Sequence, residues 1–522
     1  MSLRVCILTA GTGSRLGDLT KYLNKSLVSI ANRPALSHLI EQFPEDTEFV
    51  IALGHKGNLV REFLELAYSE RVFYFAEVEP FEGPGAGLGL SLIQCKAHLQ
   101  QPFIFLSCDT LIIEPVPALE QNWIGYAERD DLSPYRTVKV EQGRVSAICE
   151  KGEGRSMTHK AYIGLAGIVN YQQFWAAMED GGVEAINVGE ACGLRSLLNE
   201  GIAAVGFTWF DTGNPAALEL ARTTYQEAGA PNILPKANEA IWFVGEKVIK
   251  FSDDNAFIEN RARRALEIAD FVPSISGIKT NMYSYAKVIG EVLSDVISVP
   301  LFERFLAHCT TFWRVEQIKA SGQEEFTAQC MKFYKGKTLE RVDLFYRNFN
   351  IQDGTESING VPMPLLKSLL DQLDWNKLAD GLPGRFHGDF HFENIICSEE
   401  KQAFTFLDWR QDFGGSLTIG DIYYDLAKLL HGLIISHELI ARDLYHIDWQ
   451  KDAIRYDFHR KQMLVDCERH FTVWLAQQGY DVAKVQILAA LIFLNIAALH
   501  HPSYSHLLYA LGKSMLYRTL NK

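Results

Sequence analysis

Apolar and polar positions alternate in two different ways along the 522 residues of the chain. Up to about residue 225, short runs rich in Ile, Val and Phe are separated by stretches in which apolar residues recur with helical spacing. The predicted strands are RVCILTA, EFVIALG, VFYFAEV and PFIFLSCD, and the predicted helices include NLVREFLELAYS and GLSLIQCKAHL. Strands that alternate with helices predict a doubly wound α/β domain with a mostly parallel sheet, in which ligands bind at the carboxyl ends of the strands.

The pattern changes near Glu227. The segment EAGAPNILPKANEA combines two prolines with small and polar residues, which is typical of a linker. AIWFVGEKVIKFS then predicts a β-hairpin that turns at Val244-Gly245-Glu246, and the chain after about residue 425 is predicted to be almost wholly helical. We therefore expect two domains, residues 1–228 and 238–522, joined by a linker at 229–237.

Composition is that of a globular protein without broad affinity for nucleic acid or anionic membranes. Hydrophobic residues make up 48% and charged residues 22% of the chain, and its net charge of −14 would be repelled by both polyanions. The nine cysteines form no CxxC pair, and an odd number without a secretory signal is typical of reduced thiols in the cytoplasm. The longest apolar stretch begins at Ile487 and is shorter than the roughly 18 residues that span a bilayer. We therefore expect a core helix there, no membrane insertion and small-molecule partners; the oligomeric state stays open.

A glycine-rich turn, LTAGTGSRLGDL, follows the first predicted strand. A dinucleotide fingerprint needs G-x-G-x-x-G, but Leu16 stands at the third glycine position, and the Gly-Lys-Ser/Thr of a P-loop does not follow. Gly11 and Gly13 would let backbone N–H groups approach phosphates, and Arg15 and Lys25 would supply positive charge. The alternative is a tight strand-to-helix turn with two surface cations.

Carboxylates follow two later strands. Asp109 comes directly after the strand in FLSCDTLI, and Asp211 precedes a glycine and a helix in FTWFDTGNPAALELA, positions where a carboxylate can hold Mg²⁺. Taken singly, each is more typical of a helix cap or a turn. Glu150 and Lys151 follow another strand-like stretch in ICEKG, and Gly164 lies in AYIGLAGI.

Together these segments, over about residues 3–225, resemble the nucleotidylyltransferases that make NDP-sugars and CDP-choline. The resemblance implies four groups of residues: on the triphosphate of an NTP Gly11, Gly13, Arg15 and Lys25; on Mg²⁺ Asp109 and Asp211; near the acceptor Glu150, Lys151 and Gly164; against base and sugar Gly83, Gly85 and Gly87 of FEGPGAGLGLSL. In such a reaction a phosphate monoester attacks the α-phosphate and expels pyrophosphate, so that Arg15 and Lys25 would assist catalysis by neutralising two anions that must meet. Asn24 stands where the sugar-nucleotide enzymes usually have proline, which favours the phosphocholine cytidylyltransferase branch, and CTP, over the others.

A second motif, RFHGDFHFENIIC, lies in the C-terminal half. Asp389 and Asn394 are spaced D-x-x-x-x-N, as in a kinase catalytic loop, where the Asp accepts the proton of the substrate hydroxyl and the Asn binds Mg²⁺. Asp408 follows at the end of the strand in AFTFLDWRQ, where a second Mg²⁺ ligand belongs. The alternative is a hairpin turn with solvated polar residues.

Segments upstream offer residues for ATP. Lys250 in EKVIKF is the predicted strand lysine, with Lys247 as the alternative. Glu259 in AFIENRARRAL is its predicted helix partner, with Glu267 as the alternative. No G-x-G-x-x-G precedes this lysine, and YSYAKVIGEVLSD at 283–295 resembles the hinge between two kinase lobes.

These residues, from about 238 to the end, resemble the aminoglycoside phosphotransferase and choline kinase family. The resemblance implies a bilobal α+β kinase fold with a helical C-terminal lobe and ATP-dependent phosphorylation of a small-molecule hydroxyl. Asp421 and Asp425 in GDIYYDLAKLLHG match a segment that supports the catalytic loop in relatives. Choline would need an aromatic or acidic cage. The available aromatic residues, which are equally typical of cores, are Trp313, Trp375, Trp409, Tyr423 and Tyr424.

The two resemblances together imply consecutive steps. A kinase makes the phosphomonoester that a nucleotidylyltransferase consumes, so that the product would be an NDP-activated donor for surface polysaccharide synthesis. Whether the acceptor is a choline-like alcohol or a sugar is left open, as is the base of the NTP. The alternative is that one domain is catalytic and the other is a non-catalytic ligand-sensing or scaffold module.

Overall fold

The computed structural model describes residues 2–154, 157–226, 238–398, 400 and 403–521. The chain forms two compact units, one made of residues 1–258 and 275–287 and the other of residues 259–274 and 288–522. The predicted linker at 229–237 lies outside the described residues.

The first unit is built on a nine-stranded sheet with helices on both faces. Its strands up to residue 226 are β1 Arg4–Leu8, β2 Ser29–Ile30, β3 Arg33–Pro34, β4 Glu48–Leu53, β5 Val72–Glu77, β6 Phe103–Ser107, β7 Thr110–Ile112, β8 Trp123–Ala127, β9 Thr137–Glu141, β10 Arg144–Cys149, β11 His159–Ile168, β12 Ile202–Gly206 and β13 Trp209–Asp211. Its α-helices are α1 Ala35–Ile40, α2 Gly57–Ala67, α3 Leu88–Gln94, α4 Tyr171–Asp180, α5 Gly182–Val188, α6 Glu190–Ser196 and α7 Pro215–Thr224.

The strand order of the large sheet is β5-β4-β1-β6-β11-β8-β12-β10-β9. The four strands predicted from apolar runs form its parallel half, β5-β4-β1-β6. The other half is mixed, because β11 runs antiparallel to β6 and β8, and β9 and β10 form a hairpin. The prediction of a mostly parallel sheet is therefore wrong for this half. The two-residue turn at Gln142 and Gly143, both with positive φ, can join only antiparallel strands.

Both faces of the parallel strands β1, β4 and β6 are buried, whereas the edge strand β5 is only partly covered. Val5 and Ile7 of β1 pack into one core with α1 and α2, while Cys6 and Leu8 pack into the other core with α3 and α4. Strands that are covered on both sides read as continuous apolar runs, which is why they could be recognised.

A separate four-stranded sheet completes the first unit. Its strands are β14 Glu239–Val244, β15 Lys247–Ser252, β16 Ile275–Ile278 and β17 Met282–Ala286, in the order β14-β15-β17-β16. The hairpin turns where it was predicted, with Val244 paired with Lys247. Trp242 is fully buried, its ring lies edge-on to Phe63 of α2 at 5.3 Å, and its Nε1 donates to Ser29 Oγ at 2.9 Å. This sheet therefore shares a core with the large sheet.

The chain enters the second unit within α8 Asn255–Glu267. Its further helices are α9 Leu293–Val296, α10 Val299–Phe312, α11 Ala320–Met331, α12 Lys337–Phe349, α13 Leu366–Asp371, α14 Trp375–Ala379, α15 Ile422–Ile434, α16 His437–Ala441, α17 Gln462–Gln477, α18 Val482–Ala497 and α19 Pro502–Leu520. Its strands are β18 Glu291–Val292, β19 Ser357–Ile358, β20 Val361–Pro362, β21 Pro383–Gly384, β22 Ile395–Ser398, β23 Ala403–Phe406, β24 Gly420–Asp421, β25 Tyr445–Trp449 and β26 Ala453–Phe458. A π-helical segment, Lys332–Gly336, joins α11 to α12.

The apolar stretch near Ile487 forms α18, a buried core helix as predicted. The wholly helical prediction after residue 425 missed the hairpin β25–β26, which pairs through β26 with β19. Alternate apolar residues of this hairpin, such as Trp449 and Ile454, pack toward α19. Burial in the tertiary structure therefore stabilises these strands, which the charged residues between the apolar ones made hard to recognise in the sequence. Among the described residues, no helix combines the length and the apolar character needed to span a bilayer.

Candidate active sites

The glycine-rich loop of the first unit closes over Lys25. Gly13 has φ 67°, in the left-handed region, and a Cβ placed on it would lie 2.8 Å from the Cβ of Lys25. A Cβ on Gly11 would lie 4.0 Å from the Cε of the same lysine. The loop therefore needs glycine at residue 13 both for its backbone conformation and for the passage of the lysine side chain.

Asn24 anchors this loop to its surroundings. Its buried amide group donates to the carbonyl oxygens of Thr9 at 2.9 Å and His55 at 2.6 Å. Its Oδ1 accepts from the backbone N–H of Ser26 at 2.9 Å and so caps the short helical turn that carries Lys25. Asn24, which the sequence marked only as a replacement of proline, thus stabilises the site through its hydrogen bonds.

Two carboxylates and one arginine meet around Gly213. Asp211 ends β13, which pairs with β7 in a register that sets Asp211 opposite Thr110, the residue after Asp109. A Cβ placed on Gly213 would lie 2.8 Å from Asp109 Oδ2, 3.0 Å from Asp211 Oδ1 and 3.4 Å from Arg15 Nη2. The three side chains that the sequence singled out therefore face one small space that only a glycine leaves open.

Lys25 forms an ion pair with Asp109. Its Nζ is 3.1 Å from Asp109 Oδ2, and Ser107 Oγ donates to Asp109 Oδ1 at 2.7 Å. Burial alone would raise the pKa of Asp109, but the charge of Lys25 and the Ser107 hydrogen bond outweigh it and lower that pKa to about 2. Burial would lower the pKa of Lys25, yet the charge of Asp109 raises it above its ordinary value. Both groups are therefore charged at neutral pH.

Two residues near Asp211 were missed by the sequence analysis. The ring of Tyr135 lies edge-on to Trp209 at 5.1 Å, and burial, followed by the charge of Asp211, raises the pKa of its hydroxyl. Arg129 donates to the carbonyl of Trp209, and its guanidinium lies 5.0 Å from that ring. Both residues come from the irregular segment between β8 and β9, which carries no recognisable motif.

The residues predicted near the acceptor lie apart in the large sheet: Gly164 is on its central strand β11, whereas Glu150 and Lys151 follow β10 near one edge. Gly164 has φ 72°, and a Cβ there would lie 2.8 Å from the Cβ of Ser107, so it adjoins the Asp109 region. Glu150 is held in ion pairs by Arg136, at 3.1 Å, and by Arg195, whereas Lys151 is exposed in the turn that follows β10. Burial opposes ionisation of Glu150, but the Arg195 and Arg136 contacts prevail and lower its pKa.

The three glycines predicted against base and sugar differ in their surroundings. Gly83 and Gly85 have φ of 82° and 85° and lie in an exposed loop. Gly87 has extended backbone and precedes α3; a Cβ on it would lie 2.4 Å from the carbonyl oxygen of Ile186 in α5. The close approach of these two helices requires a glycine at residue 87.

In the second unit, Asp389 is surrounded by donors. Lys428 Nζ lies 2.6 Å from its Oδ1, and His391 Nε2 lies 3.6 Å from its Oδ2. Asn394 Nδ2 donates to the backbone carbonyl of Asp389 at 2.9 Å, which leaves the Asn394 Oδ1 as a ligand atom. Burial would raise the pKa of Asp389, but Lys428 and then His391 hold it well below its ordinary value. The Asp389 side chain is 42% exposed, and its carboxylate is ionised at neutral pH.

Asp425 supports the loop that carries this carboxylate. Its Oδ2 accepts from the backbone N–H of His387 at 2.7 Å, and its Oδ1 accepts from that of Gly388 at 2.7 Å. Trp313 Nε1 donates to the same carboxylate at 3.2 Å. Burial raises the pKa of Asp425 to about 6, although these hydrogen bonds favour the charged form. The side chain fixes the backbone on the N-terminal side of Asp389.

Asp421 and Arg264 hold the same region from two other directions. Asp421 caps α15 by accepting from Tyr423 N at 3.0 Å, and it also accepts from Tyr334 Oη at 2.7 Å. The buried Arg264 donates to the carbonyls of Phe386, Arg410 and Leu417. No motif pointed to Arg264, because its partners lie more than a hundred residues away in the chain.

The remaining residues predicted for ATP and Mg²⁺ lie as follows. Asp408 follows β23 with φ 59° and forms an ion pair with Arg261 of α8. Glu259, on the same helix, is exposed. Lys250 is buried on β15, in register with Ile241 and Tyr283.

Oxygen ligands suited to Mg²⁺ are available in both units. Asp109 and Asp211 offer carboxylate oxygens to the space at Gly213, and Asn394 and Asp408 offer an amide and a carboxylate oxygen. These donor sets fit a hard divalent cation. A different set, His391, Glu393 and His437, brings nitrogen and oxygen ligand atoms within 4.8 Å of one another.

The aromatic residues considered for a choline cage are committed to other contacts. Trp313, Trp409 and Tyr424 are buried. Trp409 Nε1 donates to the carbonyl of Arg261 at 2.9 Å, and Trp375 Nε1 donates to that of Leu370 at 3.1 Å. Lys484 Nζ lies 4.3 Å from the ring of Tyr423.

Two family models match the chain. Residues 5–124 match the MobA-like NTP transferase domain, and residues 351–455 match the phosphotransferase enzyme family. The chain thus carries a nucleotidyltransferase domain in its N-terminal part and a phosphotransferase domain in its C-terminal part.

Similar proteins of known name match the N-terminal part. The low-salt glycan biosynthesis nucleotidyltransferase Agl11 of Haloferax volcanii is 28% identical over 228 residues, which cover 40% of this chain and 62% of that protein. Probable mannose-1-phosphate guanylyltransferase 3 of Oryza sativa subsp. japonica is 30% identical over 164 residues, 28% of this chain and 45% of that protein. The chain thus spans less than two thirds of the length of each. The crystal structure of apo UDP-glucose pyrophosphorylase aligns with a TM-score of 0.37 at 17% identity, covering 43% of this chain and 98% of that one.

Proposed function

We propose that the chain is a bifunctional enzyme that catalyses two consecutive steps. The phosphotransferase domain transfers the γ-phosphoryl group of ATP to a hydroxyl of a small compound. The nucleotidyltransferase domain then transfers NMP from an NTP to the new phosphate and releases pyrophosphate. The product is an NDP-activated donor, CDP-choline-like or an NDP-sugar, for surface polysaccharide synthesis.

In the nucleotidyl transfer, an oxygen of the acceptor phosphate attacks the α-phosphorus, and the bond from that phosphorus to the bridging oxygen of the β-phosphate breaks. Arg15 and Lys25 reduce the repulsion between the two anions and stabilise the charge that develops on pyrophosphate. The ion pair with Asp109 keeps Lys25 charged and holds its ammonium in place.

In the phosphoryl transfer, Asp389 accepts the proton of the substrate hydroxyl as its oxygen attacks the γ-phosphorus, and the bond to the β-phosphate oxygen breaks to release ADP. Because the pKa of Asp389 is depressed, its main contribution is to orient the hydroxyl, with proton transfer late in the step. Lys250 stays the candidate for the ATP phosphates, and Glu259 stays the candidate for its helix partner.

Mg²⁺, held by Asp109 and Asp211 in the first unit and by Asn394 and Asp408 in the second, would supply charge neutralisation of the transferring phosphates. The choice of NTP stays open. Asn24 in place of proline favours CTP, whereas the curated relatives include proteins named as guanylyltransferases.

The observation that carries the proposal is the convergence of Asp109, Asp211 and Arg15 on the space at Gly213. In the second unit, the contacts of Asp389 with Lys428 and Asn394 support the proposal as well. A scaffold role for one domain would tolerate the loss of such a set, and the chain retains both.

The test supplies the full chain with Mg²⁺, ATP, one of the four NTPs and a panel of small alcohols and sugars, and measures ADP and pyrophosphate. We expect both products with the right acceptor. Asp389→Ala should abolish ADP formation but spare pyrophosphate release when the phosphorylated acceptor is supplied. Asp109→Ala should have the opposite effect. If one variant removes both products, or if one product never forms with any acceptor, the two-step proposal fails.

A further inference from the structure

Positive charge is concentrated around Asp389. Lys428 is paired with that carboxylate at 2.6 Å. Arg410 lies against the backbone of the same loop, because a Cβ on Gly388 would lie 2.6 Å from the Cβ of Arg410. Lys337 lies nearby: burial, and then the charges of Arg410 and Lys428, lower its pKa, and the charge of Asp389 raises it.

Two of these cations contact the ring of Phe333. Lys337 Nζ lies 4.6 Å from the centre of this ring, and the guanidinium of Arg410 lies 5.0 Å from the same ring. Phe333 belongs to the π-helical segment, and Lys337 begins α12 directly after it. Single π turns are frequent at functional sites because they redirect side chains on one helix face. Arg341 follows one turn later on α12.

These cations lack the carboxylates that would neutralise them. Within the part of the chain that the structure describes, Lys337, Arg341 and Arg410 form no ion pair with Asp or Glu; Arg410 Nε donates to the backbone carbonyl of Asp412 at 3.1 Å. Asp389 is the only carboxylate among the main influences on Lys337, and it is already paired with Lys428. Asp421 and Asp425 are bound to backbone N–H groups.

Like charges kept close together without counterions destabilise a fold. The chain as a whole has a net charge of −14, so a general excess of basic residues does not account for the cluster. Burial, and then the charges of Arg410 and Lys428, lower the pKa of Lys337 to about 7, so that an anion bound beside it would restore its charge.

We infer that the compound phosphorylated at Asp389 is itself an anion, a hydroxyl compound with a carboxylate or a phosphate group, and that Lys337, Arg341 and Arg410 bind this group. The inference rests on the proposed function and narrows its acceptor. It disfavours choline, because a quaternary ammonium would meet two arginines and a lysine without a free carboxylate, and the aromatic residues that could have formed a cage are engaged elsewhere.

The cations could instead serve the transferring phosphoryl group of ATP, and the test separates these two roles. The full chain with ATP and Mg²⁺ is given four compounds with short matched skeletons: glycerol, D-glycerate, glycerol 3-phosphate and choline. ADP formation and the mass of the product are measured for the wild type, Lys337→Ala, Arg341→Ala and, as a control on the same helix, the exposed Arg347→Ala.

We expect kcat/KM for an anionic compound to exceed that for glycerol and choline by about tenfold or more. D-Glycerate against glycerol 3-phosphate identifies the anionic group. Lys337→Ala and Arg341→Ala should each raise the KM for that compound about tenfold and change the KM for ATP less than twofold, while Arg347→Ala changes neither. A preference for choline or glycerol overturns the inference, and so does a rise in the KM for ATP alone.

If none of the four compounds is phosphorylated, the same set is titrated calorimetrically into the chain loaded with ADP and Mg²⁺. Binding of an anionic member that the double variant Lys337→Ala/Arg341→Ala loses supports the inference, and failure of both anionic members to bind overturns it. Asp389→Ala distinguishes failure of the inference from failure of the proposed function. If the wild type phosphorylates choline or glycerol and Asp389→Ala does not, only the inference fails. If Asp389→Ala still phosphorylates them, the proposed function fails.

Discussion

Lys428 Nζ and Asp389 Oδ1 are 2.6 Å apart, and the lysine comes from the middle of the buried helix α15. Each group stabilises the charge of the other: Asp389 raises the pKa of Lys428 against the effect of burial, and Lys428 lowers that of Asp389. The candidate base is therefore held by a residue 39 positions away, outside the catalytic-loop motif.

Replacing this lysine should shift the pH dependence of phosphoryl transfer. In Lys428→Met the pKa of Asp389 rises, because its main counter-charge is gone, so that protonation inactivates the enzyme at higher pH. We expect the acid limb of the kcat/KM profile for phosphoryl transfer to move upward by about 1 to 3 pH units. The exposed Lys367→Met serves as the control and should keep the wild-type profile. An unchanged acid limb combined with a lower kcat would assign Lys428 a packing role only.

A methyl group at Gly213 should block the first site without unfolding it. In Gly213→Ala the new Cβ lies within about 3 Å of the carboxylates of both Asp109 and Asp211 and occupies the space that they share. We expect pyrophosphate release to fall at least about a hundredfold and ADP formation to stay unchanged. Gly322→Ala, where a Cβ meets only Ile318 at 3.8 Å, is the matched control. Wild-type pyrophosphate release by Gly213→Ala would contradict the assignment of this space.

Asn24 should matter as a donor as well as an acceptor. Asn24→Ala loses the hydrogen bonds to the Thr9 and His55 carbonyls and those from the Ser26 N–H and hydroxyl, while Asn24→Asp keeps only the two from Ser26. We expect Asn24→Ala to lower the free energy of unfolding of the first unit by about 1 to 3 kcal/mol. Both variants should raise the KM for the NTP. Thermal unfolding and initial rates measure these effects, and an Asp variant equal to the wild type would show that the two donated bonds contribute nothing.

The four-stranded sheet should contribute to the stability of the first unit. Trp242→Ala removes a fully buried ring from the core that this sheet shares with α2, at a cost of about 3 to 5 kcal/mol. We expect nucleotidyl transfer by the full chain to be lost at a clearly lower temperature than in the wild type. Leu220→Ala, at a side chain that is 59% exposed, should leave that temperature unchanged. Equal heat resistance of Trp242→Ala and the wild type would show that the sheet is not part of this folding unit.

Much of the first unit could be predicted because its central strands have a distinctive pattern. Four strands consist mainly of apolar residues: β1, β4, β5 and β6. In the hairpin β14–β15, Gly245 marks the position of the turn. Strands β9, β10 and β12 lie toward one edge of the sheet and are partly exposed, and their mixed polarity conceals both their number and their direction. The direction of a strand depends on how it is connected to its neighbours, and amino-acid composition does not reveal these connections.

The candidate sites divide in the same way. Asp109 could be singled out because it follows a recognisable strand, and Asp211 because it precedes a glycine and a helix; the β7–β13 pairing brings them to one space. Lys428 and Lys337 could not, since within their helices they have no signal except charge. Their significance depends on long-range packing that sets them beside a carboxylate or an aromatic ring.

The division of the chain into units also bears on its synthesis. The first unit takes in residues up to 258 and then needs β16 and β17, at 275–287, to complete its second sheet. Met282 of β17 is one of the fully buried residues of the core that also contains Trp242. A nascent chain that has emerged only as far as the end of the nucleotidyltransferase segment therefore leaves an apolar face of α2 uncovered. Folding of the first unit is therefore completed only after synthesis of β16 and β17, whose sequence belongs to the segment that resembles a kinase.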